Sequence, residues 1–233
     1  VQAAIEARID RLEPAAKRTL NAASVIGLRF TTDLLAEVGV DARVDELVAL
    51  ELIDRLATTT DAEYAFRHPL ILAVAYESQL KSDRDQWHRR LAAAIQSRDP
   101  DSVEENAAII AEHLEAAGEL QESYGWHMRS AAWSTNRDVA AARRSWERAV
   151  NIADSMTDAV PDRLSMRIHP RTMLCATDWQ ARDVQQSRSR FQELQELCTA
   201  TGDHVSLAIA MTGLAAESLY AGRVQEAAQL SSE

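Results

Sequence analysis

The run Phe66-Arg67-His68-Pro69-Leu70-Ile71-Leu72-Ala73-Val74-Ala75-Tyr76-Glu77 holds the residues of this chain best placed to do chemistry. Its Arg-His pair lies between a strand-like segment and a helix start, a junction from which a side chain is aimed out of its scaffold. An imidazole there can donate to a phosphate oxygen while its second nitrogen is fixed by backbone. Other constellations are missing from the sequence. His113, His127 and His169 are too dispersed for a metal centre, and no His-Glu-x-x-His occurs. His88 and the Glu112-His113 pair fall on amphipathic helical patterns, where a lone histidine reads as a surface or boundary residue. Cys175 and Cys198 lack metal-ligand spacing and read as ordinary partly buried thiols. No nucleophile stands on a Gly-x-Ser-x-Gly elbow. No Gly-x-x-x-x-Gly-Lys-[Ser/Thr] or other glycine-rich loop is present to cradle phosphates. The chain itself is therefore expected to be non-catalytic, with no cofactor or metal of its own.

The elements that must position the Arg-His pair are mostly helical. Only 7 Gly and 5 Pro interrupt 233 residues rich in Ala, Leu, Glu and Arg, and apolar residues recur at three- and four-residue spacing. Three helices are predicted first: Pro14 to Val25, with Pro14 suited to a helix start; Thr32 to Val38, capped by Thr31 or Thr32; and Asp41 to Leu52. One interval changes period. Ile53 to Thr58 and Glu63 to Phe66 alternate around the polar tip Thr59-Thr60-Asp61-Ala62 and predict a β-hairpin. Three short helices followed by a two-stranded wing is the order of a winged-helix domain, assigned to residues 1–99.

A winged helix invites a DNA-binding reading, which charge disfavours. The net charge is −11, with −3 in residues 1–100 and −8 in the remainder. The third helix, Val44 to Leu52, offers Asp45, Glu46 and Glu51 where a groove-reading helix needs Arg, Lys, Asn or Gln. The most basic run, Arg84 to Arg90, contains Asp85 and follows Asp83, and reads as a solvated helix face. No stretch approaches 18 uninterrupted apolar residues and no signal-peptide pattern opens the chain, which leads to a cytoplasmic expectation.

From Pro100 onward the pattern becomes helical pairs: Val103 to Ala117, Leu120 to Thr135, Val139 to Met156, Pro161 to Asp178, Val184 to Thr201 and His204 to Ala221. Helices of this length joined by short turns predict an α-solenoid over residues 100–233. Trp126, Ser130, Trp133, Ala142, Trp146 and Ala149 have the spacing of a tetratricopeptide unit, and Ala215, Gly222 and Ala227 echo it. Phe191 falls at the Trp146 position 45 residues later, a looser period than usual. Trp126, Trp133 and Trp146 are assigned to the core, with small Ala and Ser residues letting helices approach. The chain opens on Val1 and stops at Ser231-Ser232-Glu233 within a helical pattern, so it is expected to be a piece of a longer protein, truncated at its C-terminus.

Several segments together carry a resemblance: Ala7-Arg8-Ile9-Asp10-Arg11-Leu12, Leu20 to Gly27, Glu51-Leu52-Ile53, Phe66 to Ile71 with Ala75-Tyr76-Glu77-Ser78, and His88-Arg89-Arg90-Leu91-Ala92. They resemble the region after the ATPase core in STAND-type (AAA-like) proteins, closest to actinobacterial ATPases linked to a class III adenylate or guanylate cyclase, with LuxR-type relatives. The similarity extends over about residues 1–155; the rest resembles only generic helical repeat. The resemblance implies that nucleotide lies between the ATPase core and the winged helix, where a histidine of a Met-His-Asp-like motif contacts the β-phosphate of ADP. The matching position is His68, with Arg67 where the family often has Met and Pro69 where it often has Asp. His68 and Arg67 are thus the nucleotide-contacting candidates, with ADP or ATP held by the parent protein.

The reading that follows is a regulatory or sensor arm of a signalling ATPase. Its winged helix responds to nucleotide bound upstream in the same chain, and its repeats bind a protein or small-molecule effector. The alternative is a constitutive protein-interaction scaffold without nucleotide dependence. Neither reading involves nucleic acid or membrane.

Overall fold

The computed structural model describes residues 2–56, 63–181 and 184–230. They are mostly helical, with one small three-stranded antiparallel sheet, and the chain divides into two compact units. One comprises residues 1–103 with 112–119, the other 104–111 with 120–233.

The first unit begins with α1 (Gln2–Ile9) and α2 (Pro14–Ile26). Pro14 occupies the first turn of α2, where a missing N–H costs nothing. Gly27 ends that helix at φ 136°, a conformation that glycine alone adopts without strain. Strand β1 (Arg29–Thr31) follows, then α3 (Thr32–Glu37), whose cap is Thr31: its Oγ1 accepts the Leu34 N–H at 3.2 Å. Helix α4 (Val44–Ala49) is shorter than the Asp41 to Leu52 expected. At its start the Arg43 N–H is drawn to Thr19 Oγ1 (3.0 Å), and past its end Glu51 takes φ 52° so that Leu52 N–H reaches back to the Leu47 carbonyl.

Strands β2 (Ile53–Arg55) and β3 (Glu63–Phe66) pair antiparallel, with Ile53 opposite Phe66. The expected tip at Thr59 to Ala62 lies outside the described residues. Strand β1 pairs with the other edge of β3, giving the order β1-β3-β2. Three residues are too few for alternation to show in a sequence; here the buried Phe30 ring secures the pairing, stacked on Tyr64 at 5.9 Å and tilted against Phe66 at 5.8 Å. Below the sheet, Ile9, Leu20, Leu35, Leu47, Leu52 and Leu91 form a continuous apolar core. Helices α5 (Pro69–Glu77) and α6 (Lys81–Arg98) complete the support of the β3–α5 junction.

After α6, residues 99–106 form turns, and α7 (Ala107–Ala116) starts later than the expected Val103. Pro100 disfavours helical backbone at Asp99, whose carboxylate accepts the Asp101 N–H instead.

The second unit contains α8 (Leu120–Ser134), α9 (Val139–Ser155), α10 (Arg163–Ala181), α11 (Val184–Thr201), α12 (His204–Tyr220) and α13 (Val224–Leu230). Asp138 and Asp203 cap α9 and α12 by accepting the N–H groups of Ala141 and Ser206. Trp146 is buried against Ala131, Ala142 and Leu174. Trp126 and Trp133, expected in the core, are only half-buried. Their faces are covered by guanidiniums three and four residues on: Arg129 lies 3.8 Å from the Trp126 centroid and Arg137 lies 4.6 Å from that of Trp133. The arginines cover part of each aromatic face at the boundary while their guanidiniums stay in contact with water. Where α10 meets α12, the backbones nearly touch. A Cβ on Gly213 would lie 2.0 Å from the Cys175 carbonyl oxygen, so glycine alone permits this approach.

Candidate functional site

The β3–α5 junction places Arg67 and His68 as neighbours with different partners. The Phe66 ring is anchored in the core and the Arg67 N–H donates to the Leu52 carbonyl at 3.2 Å, so the backbone leaving the sheet is fixed. His68 then takes an extended conformation (φ −148°, ψ 138°) and caps α5. Its Nδ1 accepts the Leu70 N–H at 3.0 Å, and its carbonyl accepts the Ile71 N–H at 2.9 Å. A nitrogen that accepts carries no proton, so in the neutral ring the proton sits on Nε2. The side chain is exposed, which presents Nε2–H as a donor of set orientation. Arg67 is already engaged: its guanidinium pairs with Glu51 at 2.9 Å and with Asp54 at 3.4 Å. The hydrogen bond to Glu51, then the charges of Asp54 and Glu51, raise its pKa. Of the two sequence candidates, the Arg67 guanidinium is held by two carboxylates of its own unit, whereas His68 presents its Nε2–H away from any acidic partner among the described residues.

A second cluster joins residues that the sequence leaves scattered. Tyr76 on α5, His88 on α6 and His113 on α7 form a chain in which Tyr76 Oη lies 3.0 Å from His88 Nε2, and His88 Nδ1 lies 2.9 Å from His113 Nδ1. With both rings neutral, the Tyr76 hydroxyl donates to His88 Nε2 and His88 Nδ1–H donates to His113 Nδ1, or every bond runs the other way. One added proton is accommodated. A second sets two N–H groups face to face. Burial pushes the His113 pKa down to about 4, reinforced by His88, and burial also lowers that of His88, against Asp85, which raises it. Arg84 lies over the Tyr76 ring at 5.1 Å, and Arg89 pairs with Glu119 at 2.7 Å beside the cluster.

These depressed values fix a pH dependence. Between the folded value near 4 and the unfolded value near 6.5, the unfolded chain binds more protons, so stability is fully present above about pH 6.5 and is lost as pH falls toward 4. Urea unfolding at pH 4.5 and pH 7.5 is expected to differ by about 2 kcal/mol more in the wild type than in a His88→Gln, His113→Gln variant. Equal pH dependence in the two proteins would mean that the imidazoles are solvated.

The second unit carries a buried charge network on α9, α10 and α11. Asp178 accepts from Arg143 at 2.7 Å and also pairs with Arg190, while Arg143 donates to the Leu174 carbonyl and Thr177 Oγ1. Two turns away on α10, Arg171 donates to Asp154 at 2.5 Å, and Arg167 reaches the same carboxylate at 2.7 Å. Burial alone would push the Asp154 carboxyl up, but the hydrogen bonds from Arg171 and Arg167 hold it below the usual range. Burial, then the Asp178 charge, push the Cys175 thiol up to about 12, which keeps it protonated and inert. Sequence reasoning missed this network, since its members lie 12 to 35 residues apart. An arginine or aspartate on an apolar helix stripe is the one signal that could have found it.

Among the described residues, no cluster of three or more His, Cys, Asp or Glu could hold a metal ion, and no helix is long and apolar enough to cross a membrane.

No family model matches the sequence, and no solved structure matches it. An uncharacterized protein of Rhizobium meliloti (strain 1021) is 27% identical over an alignment of 163 residues that covers 66% of this chain and 16% of that protein. The chain therefore spans well under two thirds of the relative it matches.

Proposed function

We propose that this chain is the non-catalytic regulatory arm of a longer, cytoplasmic signalling ATPase of the STAND type, linked to a nucleotide cyclase or a LuxR-type output. Residues 1–99 act as a winged helix that closes over nucleotide held by an upstream ATPase domain. Residues 100–233 act as a tetratricopeptide-like array that binds an effector and shifts the closed–open balance. A few kcal/mol of differential affinity is enough for such a switch.

The observation that carries this reading is the state of His68. Its Nδ1 is committed to the Leu70 N–H, so the exposed Nε2–H is held as a donor at the mouth of the β3–α5 junction. A phosphate oxygen is the acceptor such a donor suits, and ADP and ATP would set that oxygen differently. Helices α2, α3 and α4, with β1 between the first two, followed by the β2–β3 pair agree with a winged-helix order. The acidic α4, with Asp45 and Glu46 in its first turn, speaks against DNA as the ligand of this unit.

The test is His68→Ala in the intact protein. ADP affinity is expected to fall by about 1.5–3 kcal/mol, the scale of a hydrogen bond to a charged group. Unchanged affinity would leave the ring with its capping role alone, and the array as a scaffold without nucleotide dependence.

A further inference from the structure

Helices α9, α10 and α11 form an open cavity of about 370 Å³, lined by Glu147, Val150, Asn151, Arg171, Leu174 and Arg190 together with Ser189 and Glu193. That volume is at the small end of the range for ligand sites. Leu174 and Val150 supply apolar surface, and Asn151 and Ser189 supply neutral hydrogen-bonding groups.

The charged groups are what distinguish the cavity. Arg171 is only 5% exposed, with Nη2 on Asp154 and Nη1 on the Arg167 carbonyl. Its Nε faces Glu193 across 3.6 Å, too far for a hydrogen bond. Arg190 is built the same way: Nη1 is bonded to Asp178, while Nη2 stands 3.9 Å from Glu147. Each guanidinium thus keeps one donor edge whose nearest carboxylate does not reach it. Both arginines line the cavity, where an acceptor of the right size completes the hydrogen bonding of these edges.

The balance of charge selects the ligand. Arg143, Arg167, Arg171 and Arg190 are matched by Glu147, Asp154, Asp178 and Glu193, so the network is neutral as a whole. A simple anion would unbalance it and meet two carboxylates at the rim. A molecule carrying both signs would not.

We propose that this cavity binds a small zwitterion of the amino-acid class, its carboxylate on the free edges of Arg171 and Arg190 and its ammonium group on Glu147 and Glu193. This names the effector class for the array and in that respect rests on the regulatory reading above. Its test uses this chain alone and needs no nucleotide, so its failure and that of the His68 assignment are separable.

The experiment is titration calorimetry and thermal unfolding of the 233-residue chain with each of the common L-amino acids at about 10 mM. Sodium acetate with methylammonium chloride at equal ionic strength is the charge control. At least one amino acid is expected to raise the melting temperature above the control. Glu147→Gln with Glu193→Gln is expected to weaken that ligand about tenfold or more. These carboxylate side chains are 46% and 57% exposed, so their replacement spares the fold. Ser189→Leu, which adds bulk at the exposed rim of the cavity, is expected to weaken binding about tenfold or more. The proposal is overturned if no amino acid exceeds the salt control, or if the bound one is held equally by the double variant or by Ser189→Leu.

Discussion

Trp146→Ala is expected to destabilise the second unit by about 3–5 kcal/mol, the range for removing a large aromatic from a packed core. The ring is 2% exposed and lies on α9 against Ala131 of α8, Ala142 of its own helix and Leu174 of α10. Three helices therefore share one side chain, and its removal leaves a cavity that Leu174, Met128 and Met173 around it fill only in part. Urea or thermal unfolding of the chain measures the loss. A melting temperature within about a degree of wild type would place the ring at the surface and break the register read for α8, α9 and α10.

Asp178→Ala is expected to cost a similar amount, about 3–5 kcal/mol, for an electrostatic reason. Asp178 is 3% exposed and is shared by Arg143 and Arg190, whose side chains are about as deeply placed. Removing the carboxylate leaves two guanidiniums in a low-dielectric site, one of them still held in place by the Leu174 carbonyl and Thr177. The penalty comes from the uncompensated charges more than from the lost bond. A triple replacement, Asp178→Leu with Arg143→Met and Arg190→Leu, is accordingly expected to recover most of the stability in the same unfolding measurement. A loss below about 1 kcal/mol for Asp178→Ala would mean that solvent screens the pair.

Local structure was legible wherever it depends on near neighbours in the chain. The starts of α2, α8, α9, α11 and α12 follow from Pro14, the breaks at Gly118, Asn136 and Gly202-Asp203, and helical periodicity. Period-two alternation over the longer runs Ile53 to Thr58 and Glu63 to Phe66 marks β2 and β3. Strand β1 was not legible, because a three-residue strand has no period and exists through Phe30 stacking on a strand more than thirty residues away. Trp126 and Trp133 carry the spacing of core residues, but spacing does not say that an arginine one turn on will cover an aromatic face.

The site divides along the same line. The exposed junction at Arg67 and His68 is a local feature, readable from a strand pattern meeting Pro69. The Tyr76–His88–His113 chain and the cavity beside Arg171 and Arg190 depend on which helix faces which, and one-dimensional spacing holds no record of that.

The most direct measurement is the ADP content of the intact protein after purification, wild type beside His68→Ala, with the 233-residue chain as control. A nucleotide-gated arm predicts ADP in the wild type, a marked loss in the variant and none on the chain alone. Equal ADP in wild type and variant would contradict it, leaving His68 as the cap of α5 and nothing more.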